Sequence, residues 1–168
     1  MKLLTLNELS VPDAREALER CCGARAWVQR MIAARPFADR AALHAAADDI
    51  GTTLERADWL EAFAHHPRIG ESALREKFKT TATWAGAEQA GAAGAAEAVI
   101  AELAAGNRAY EERFGYVFIV CATGKLADEM LAILESRMPN DSRTELDAAA
   151  AEQMKITHLR LDKLLEEA

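Results

Sequence analysis

Alanine fills 37 of the 168 positions, whereas valine and isoleucine together fill only 12. Alanine and leucine favour helix, while strands draw on β-branched and aromatic side chains. Aromatic residues make up only 6% of the chain. An all-β fold is not expected, nor is a parallel sheet rich in Val and Ile. The hydrophobic content of 51% overstates the core for the same reason, because so much of it is alanine. The length suits one ordinary domain. The expectation is therefore an all-α chain, a single-domain compact bundle over 1–168 with roughly eight helices, several of them short.

Local punctuation divides the bundle. Ser10 can cap a helix with Pro12 in its first turn and Gly23 near its end. A helix over Ala26 to Ala34 stops before Arg35-Pro36, since the residue preceding proline avoids helical dihedrals. Asp39 opens the next, with Leu43, Ala46, Ala47, Ile50 and Leu54 at helical spacing. Trp59 to Ala64 ends at His66-Pro67, and Leu74 to Phe78 follows a loop containing Gly70. A long helix begins near Glu88 and ends at Phe114-Gly115. Tyr116 to Cys121 is the one strand-like run, although an apolar run this short also fits a helix segment. Lys125 to Arg137 is helical up to Pro139-Asn140. Ser142 and Glu145 form a capping-box pattern that opens a last helix reaching about Glu166.

The net charge of −7 and a pI near 5.2 leave no basic face for a phosphate backbone, so no nucleic-acid partner is expected. No apolar run is long enough to span a bilayer. The opening MKLLTLNELS turns charged too early for a secretory signal. The cysteines are Cys21 and Cys22, which are neighbours, and the distant Cys121, a usage that fits a reducing compartment. The expected location is the cytoplasm.

Nucleotide-binding glycine motifs, CxxC, HExxH and di-iron ExxH patterns are all missing from the sequence. An enzyme of this composition would work through its side chains. His65-His66-Pro67 places two imidazoles at a helix end, where a group that titrates near neutrality could give or take a proton. The alternative is that one histidine caps the helix and the other faces solvent. Glu88 and Gln89 sit at a helix start, a position that also suits a simple first-turn acid. Arg160 lies four residues after Ile156 and so beside an apolar face. There it can clamp a carboxylate or a urea-like group, or merely extend into solvent. Cys121, inside an apolar run, reads as a buried thiol.

Taken in order, HHPRIG, AEQAGA, NRAYEERFGYVFIVCATGK, ESRMPNDSRTEL and KITHLRLDKLL resemble the 2-oxo-4-hydroxy-4-carboxy-5-ureidoimidazoline (OHCU) decarboxylase family. The likeness extends through Trp27 to Ala33, Arg35-Pro36-Phe37 and Leu43-His44, and so covers nearly the whole chain. It implies an all-α, cofactor-free lyase of urate breakdown that yields (S)-allantoin, acting as a homodimer on the small molecule OHCU. It implies His66, the histidine directly before proline, and Glu88 as catalytic residues. It also implies a substrate-binding set of Pro67, Ala85, Gln89, Phe118, Ile119, Val120, Cys121, Ala122 and Arg160, with no metal. Ala85 departs from the family, in which serine is frequent at that position, so a hydroxyl contact to substrate is either missing or supplied by another residue. Two other readings fit the composition: a non-catalytic helical interaction module, and a metal-binding helical protein using His44, His65, His66 and His158.

Overall fold

The computed structural model describes residues 1–78 and 87–166, the side chains of 87–95 excepted, and these residues form nine helices and no strand. The helices are α1 (Leu3–Glu8), α2 (Val11–Glu19), α3 (Arg25–Ala33), α4 (Arg40–Gly51), α5 (Arg56–Ala64), α6 (Glu71–Phe78), α7 (Ala87–Phe114), α8 (Ala127–Arg137) and α9 (Ser142–Glu166). The all-α expectation is met with one helix more than the sequence suggests. That helix, α1, has no side-chain cap and no acid in its first turn. Contacts distant in sequence hold it instead. Arg35 Nη1 donates to the carbonyls of Leu6 and Leu9, each at 2.9 Å, and Asn7 exchanges two hydrogen bonds with the main chain of Phe37.

The chain forms two compact units, Met1–His66 with Leu146–Ala168, and Pro67–Glu145. In the first, α3 packs against α2, α4 and α5. Trp27, Leu18, Met31, Leu43, Phe63 and Leu161 are fully buried there. Each such side chain contributes about 1.5–3 kcal/mol relative to exposure. The Trp27 indole N–H donates to the Ala47 carbonyl at 3.2 Å, so its one polar atom is satisfied. In the second unit α7 packs on α6 and α8 around Leu74, Phe78, Ile100, Leu103, Ala104, Met130 and Leu134. Gly106 permits the approach of α7 to α8, because a Cβ there would fall 2.9 Å from Leu134 Cδ2.

Several boundaries follow the local chemistry read from sequence. Asp39 Oδ1 accepts from the Ala42 N–H at 2.8 Å and opens α4. Ser10 Oγ accepts from Asp13 N–H at 3.3 Å and opens α2. Gly115 ends α7 with a φ of 83°, a conformation glycine adopts without strain.

Two expectations need correction. The Ser142–Glu145 capping box does not form. Asp141 caps α9 instead, its Oδ1 accepting from Arg143 and Thr144 N–H at 3.0 and 2.9 Å, and the Thr144 amide and hydroxyl hold its carboxyl below the usual range. Glu145 has turned inward to a buried arginine. The strand-like run is neither strand nor helix. Residues 117–122 form an irregular segment, without a partner strand among the described residues.

Candidate active site

Helix α5 delivers the two histidines. Its start is fixed by Asp58, whose Oδ2 accepts from the Glu55 N–H at 2.9 Å. It must end before Pro67, which disfavours helical dihedrals in the residue ahead of it. His65 is the C-cap residue and is exposed, with its ring against the Gly23 main chain. Gly23 is not the left-handed helix end that a glycine after α2 suggests; its missing Cβ makes room for the imidazole.

His66 is half-buried, and its Nε2 lies 2.6 Å from Oε1 of Gln153. Gln153 is fully buried on α9, and its Nε2 donates to Thr157 Oγ1 at 3.2 Å. Burial pushes the His66 pKa below the ordinary imidazole value. The hydrogen bond to Gln153 opposes this, and the charges of Arg160 and His65 add to it. The ring is therefore neutral at neutral pH, and can accept a proton and return it. Arg160 is exposed rather than tucked beside the apolar face, and its Nη1 donates to the Arg20 carbonyl at 3.4 Å. With Arg20 and Lys163 it lines a cleft floored by Ala17, Cys21 and Leu164. Its charge reaches Cys22, whose thiol burial nevertheless pushes up into the neutral form.

In the second unit, Glu88 and Gln89 occupy the first turn of α7, and their side chains lie outside the described residues, as does Ala85 entirely. Pro67 is exposed. The strip Phe118 to Ala122 alternates, with Ile119 and Cys121 buried and Phe118, Val120 and Ala122 half-buried. Two cations hold its carbonyls: Arg137 Nη1 donates to Ile119 O at 2.6 Å and Lys125 Nζ to Cys121 O at 2.8 Å. A trans peptide points its N–H opposite to its C=O. The Val120 and Ala122 N–H groups therefore face away from those cations.

The sequence did not point to the support beneath this strip. Arg137 Nε donates to Glu145 Oε1 at 2.8 Å, Tyr110 donates its hydroxyl to the same oxygen, and Asn140 Nδ2 donates to Oε2 at 3.0 Å. The guanidinium carbon of Arg137 also lies 4.8 Å from the Phe118 ring centroid. Burial and the neighbouring carboxylate push the Tyr110 pKa far up, so it remains a donor. Gln153 and Thr157 were missed as well. Their signal is two polar residues in the stripe that otherwise carries Leu161 and Leu164, where a buried polar group needs a partner.

The structure does not gather the four histidines. His44 and His158 stack with centroids 4.7 Å apart, each holding an aspartate: Asp162 at 2.9 Å from His44 and Asp48 at 2.7 Å from His158. His65 and His66 lie elsewhere, on the end of α5. Among the described residues no group of three or more His, Cys, Asp or Glu is placed to hold a metal.

The family model for OHCU decarboxylase matches residues 7–162. The chain is 37% identical, over 88% of its length, to the uric acid degradation bifunctional protein TTL of Arabidopsis thaliana, of which it spans 46%. It is 28% identical over 99% of its length to the 2-oxo-4-hydroxy-4-carboxy-5-ureidoimidazoline decarboxylase of Amia calva, and spans 95% of that protein. A crystal structure of OHCU decarboxylase in the presence of (S)-allantoin superposes with a TM-score of 0.70 at 34% identity, covering 89% of this chain and 96% of that one. This chain belongs to the OHCU decarboxylase family. It spans about half the length of the plant bifunctional relative and nearly all of the fish decarboxylase.

Proposed function

We propose that this protein decarboxylates OHCU to (S)-allantoin without a cofactor, and that the whole span acts as one domain, since the family match runs through both units. The observation that carries the proposal is His66: a half-buried imidazole kept neutral by its surroundings, directly before Pro67, in the position the family resemblance marks.

The substrate supplies its own electron sink. The bond to the carboxylate breaks, CO2 leaves, and the bonding pair moves into the ring toward the C=N nitrogen, which takes a proton from water. Pyridoxal or thiamine is not needed for such a step. The resulting enol gives its hydroxyl proton to the His66 imidazole, and the ring returns a proton to the adjacent carbon on one face, leaving the ketone of allantoin. Glu88 and Gln89 hydrogen-bond the ring and its hydroxyl. Arg160 and the amides of Phe118 to Ala122 hold carbonyl or ureido oxygens, stabilising charge as it develops. Pro67 lines the substrate, and at Ala85 the hydroxyl contact of the family's frequent serine is either missing or supplied by another residue. The protein acts in the cytoplasm as a homodimer, with no nucleic-acid partner; among the described residues no helix is long and apolar enough to cross a membrane.

The test generates OHCU in situ from urate with the two upstream enzyme activities and follows circular dichroism. Rapid appearance of a single allantoin enantiomer is expected. Decay to racemic allantoin at the rate seen without the protein would overturn the proposal.

A further inference from the structure

Gln153 and Thr157 are fully buried on α9, one turn apart, and the Gln153 side chain reaches the half-buried His66. The direction of this chain of contacts is fixed at its buried end. Thr157 Oγ1 lies 2.9 Å from the Gln153 main-chain carbonyl and 3.3 Å from that of Cys21. A carbonyl can only accept, so the single hydroxyl proton of Thr157 serves one of these two or the sulfur of Cys22, its other hydrogen-bond partner. Toward the Gln153 side chain Thr157 therefore accepts, and the group facing it must be the amide NH2. That turns Oε1 of Gln153 to His66, 2.6 Å from Nε2. Oε1 carries no proton, so Nε2 must.

We propose that Gln153 is a positioning residue that locks neutral His66 as the Nε2–H tautomer and leaves Nδ1 as the nitrogen that exchanges protons with the substrate. This rests on the decarboxylation proposed above. Two main-chain carbonyls anchor the arrangement, and they cannot be reoriented as a side chain could. The charged or titratable groups around His66 are His65 at the end of α5 and Arg160 on α9, with the neutral Cys22 thiol beside Thr157. None of them competes for Nε2.

The experiment reads tautomer and rate separately. Two-bond 1H–15N correlation of the uniformly 15N-labelled whole protein reports which ring nitrogen of His66 carries the proton. The expected result in the wild type is protonated Nε2 and bare Nδ1. Gln153→Leu is expected to lose this bias and to lower kcat about 10-fold or more with KM little changed, as removal of an orienting partner does. Gln153→Glu keeps an acceptor on Nε2. It is expected to retain the tautomer, to move the acid limb of the kcat profile to higher pH, and to recover rate above that limb. A wild-type His66 protonated on Nδ1 would overturn the proposal. So would a folded Gln153→Leu variant with an unchanged tautomer and pH profile. Should Gln153→Leu fail to fold, the wild-type spectrum and the Gln153→Glu profile still decide. Absence of decarboxylase activity in the wild type would refute the functional reading alone, because the tautomer is read without substrate.

Discussion

A Cβ on Gly23 would fall 2.3 Å from Cγ of the His65 ring, so this imidazole rests directly on the main chain. Gly23→Ala is expected to push His65 away and to cost about 1–3 kcal/mol, the usual penalty of overpacking. Since His66 is the next residue, decarboxylation should fall as well. Replacing His65 by Ala in the same background removes the clash and should restore most of the stability. Urea denaturation of both variants checks this, and an unaltered midpoint in Gly23→Ala would refute it.

The Arg137–Glu145 pair is almost wholly buried, at 9% and 0% side-chain exposure. Removing one member strands the other's charge away from water. Glu145→Ala or Arg137→Ala is expected to destabilise the protein by about 3–5 kcal/mol. Tyr110→Phe removes one donor from a carboxylate that keeps others, and about 1–2 kcal/mol is expected. Equilibrium unfolding checks the order, and equal effects for all three would contradict it.

His66 sets a pH dependence. Its folded pKa lies below the ordinary 6.5, chiefly through burial. Below that value the unfolded chain binds more protons than the folded one. The stability His66 contributes is therefore complete above 6.5 and is lost as pH falls toward the folded pKa. Comparing denaturation midpoints about one unit either side of the ordinary value should show the loss. His66→Gln should flatten that slope and abolish stereospecific allantoin formation. A wild-type slope in His66→Gln would assign the effect to another group.

Chelation separates the proposed chemistry from a metal-dependent one. Because the substrate ring accepts the electron pair, exhaustive treatment with a chelator followed by gel filtration should leave the rate unchanged. Loss of activity restored by one particular divalent ion would require a different mechanism.

Much of the helical framework was legible because it depends on neighbours in sequence. Asp39 caps α4, Pro67 stops the chain after α5 and Gly115 ends α7 through local sterics. What depends on distant partners was not. Helix α1 exists through Arg35 and Asn7. Glu145 satisfied a capping pattern on paper, but a buried arginine eight residues away offered it a stronger partner. His66 stood out because it precedes a proline. Gln153 did not, since a polar residue on a mostly apolar stripe becomes conspicuous only once its burial is known. The family likeness named the residues of the strip, and the structure added what holds its carbonyls.

That strip has a consequence for solubility. Tyr116 to Ala122 combines strong β-propensity with no charge, and it has no neighbouring strand among the described residues, features that invite pairing between molecules once the segment is exposed. Arg137 and Lys125 occupy the carbonyls of Ile119 and Cys121, which an incoming strand would otherwise use, and Gly115 and Gly124 turn the chain away at either side with positive φ. The cations that hold this backbone in place also take up acceptors a second chain would need, so loss of Arg137 is expected to raise the share of insoluble protein alongside the loss of stability.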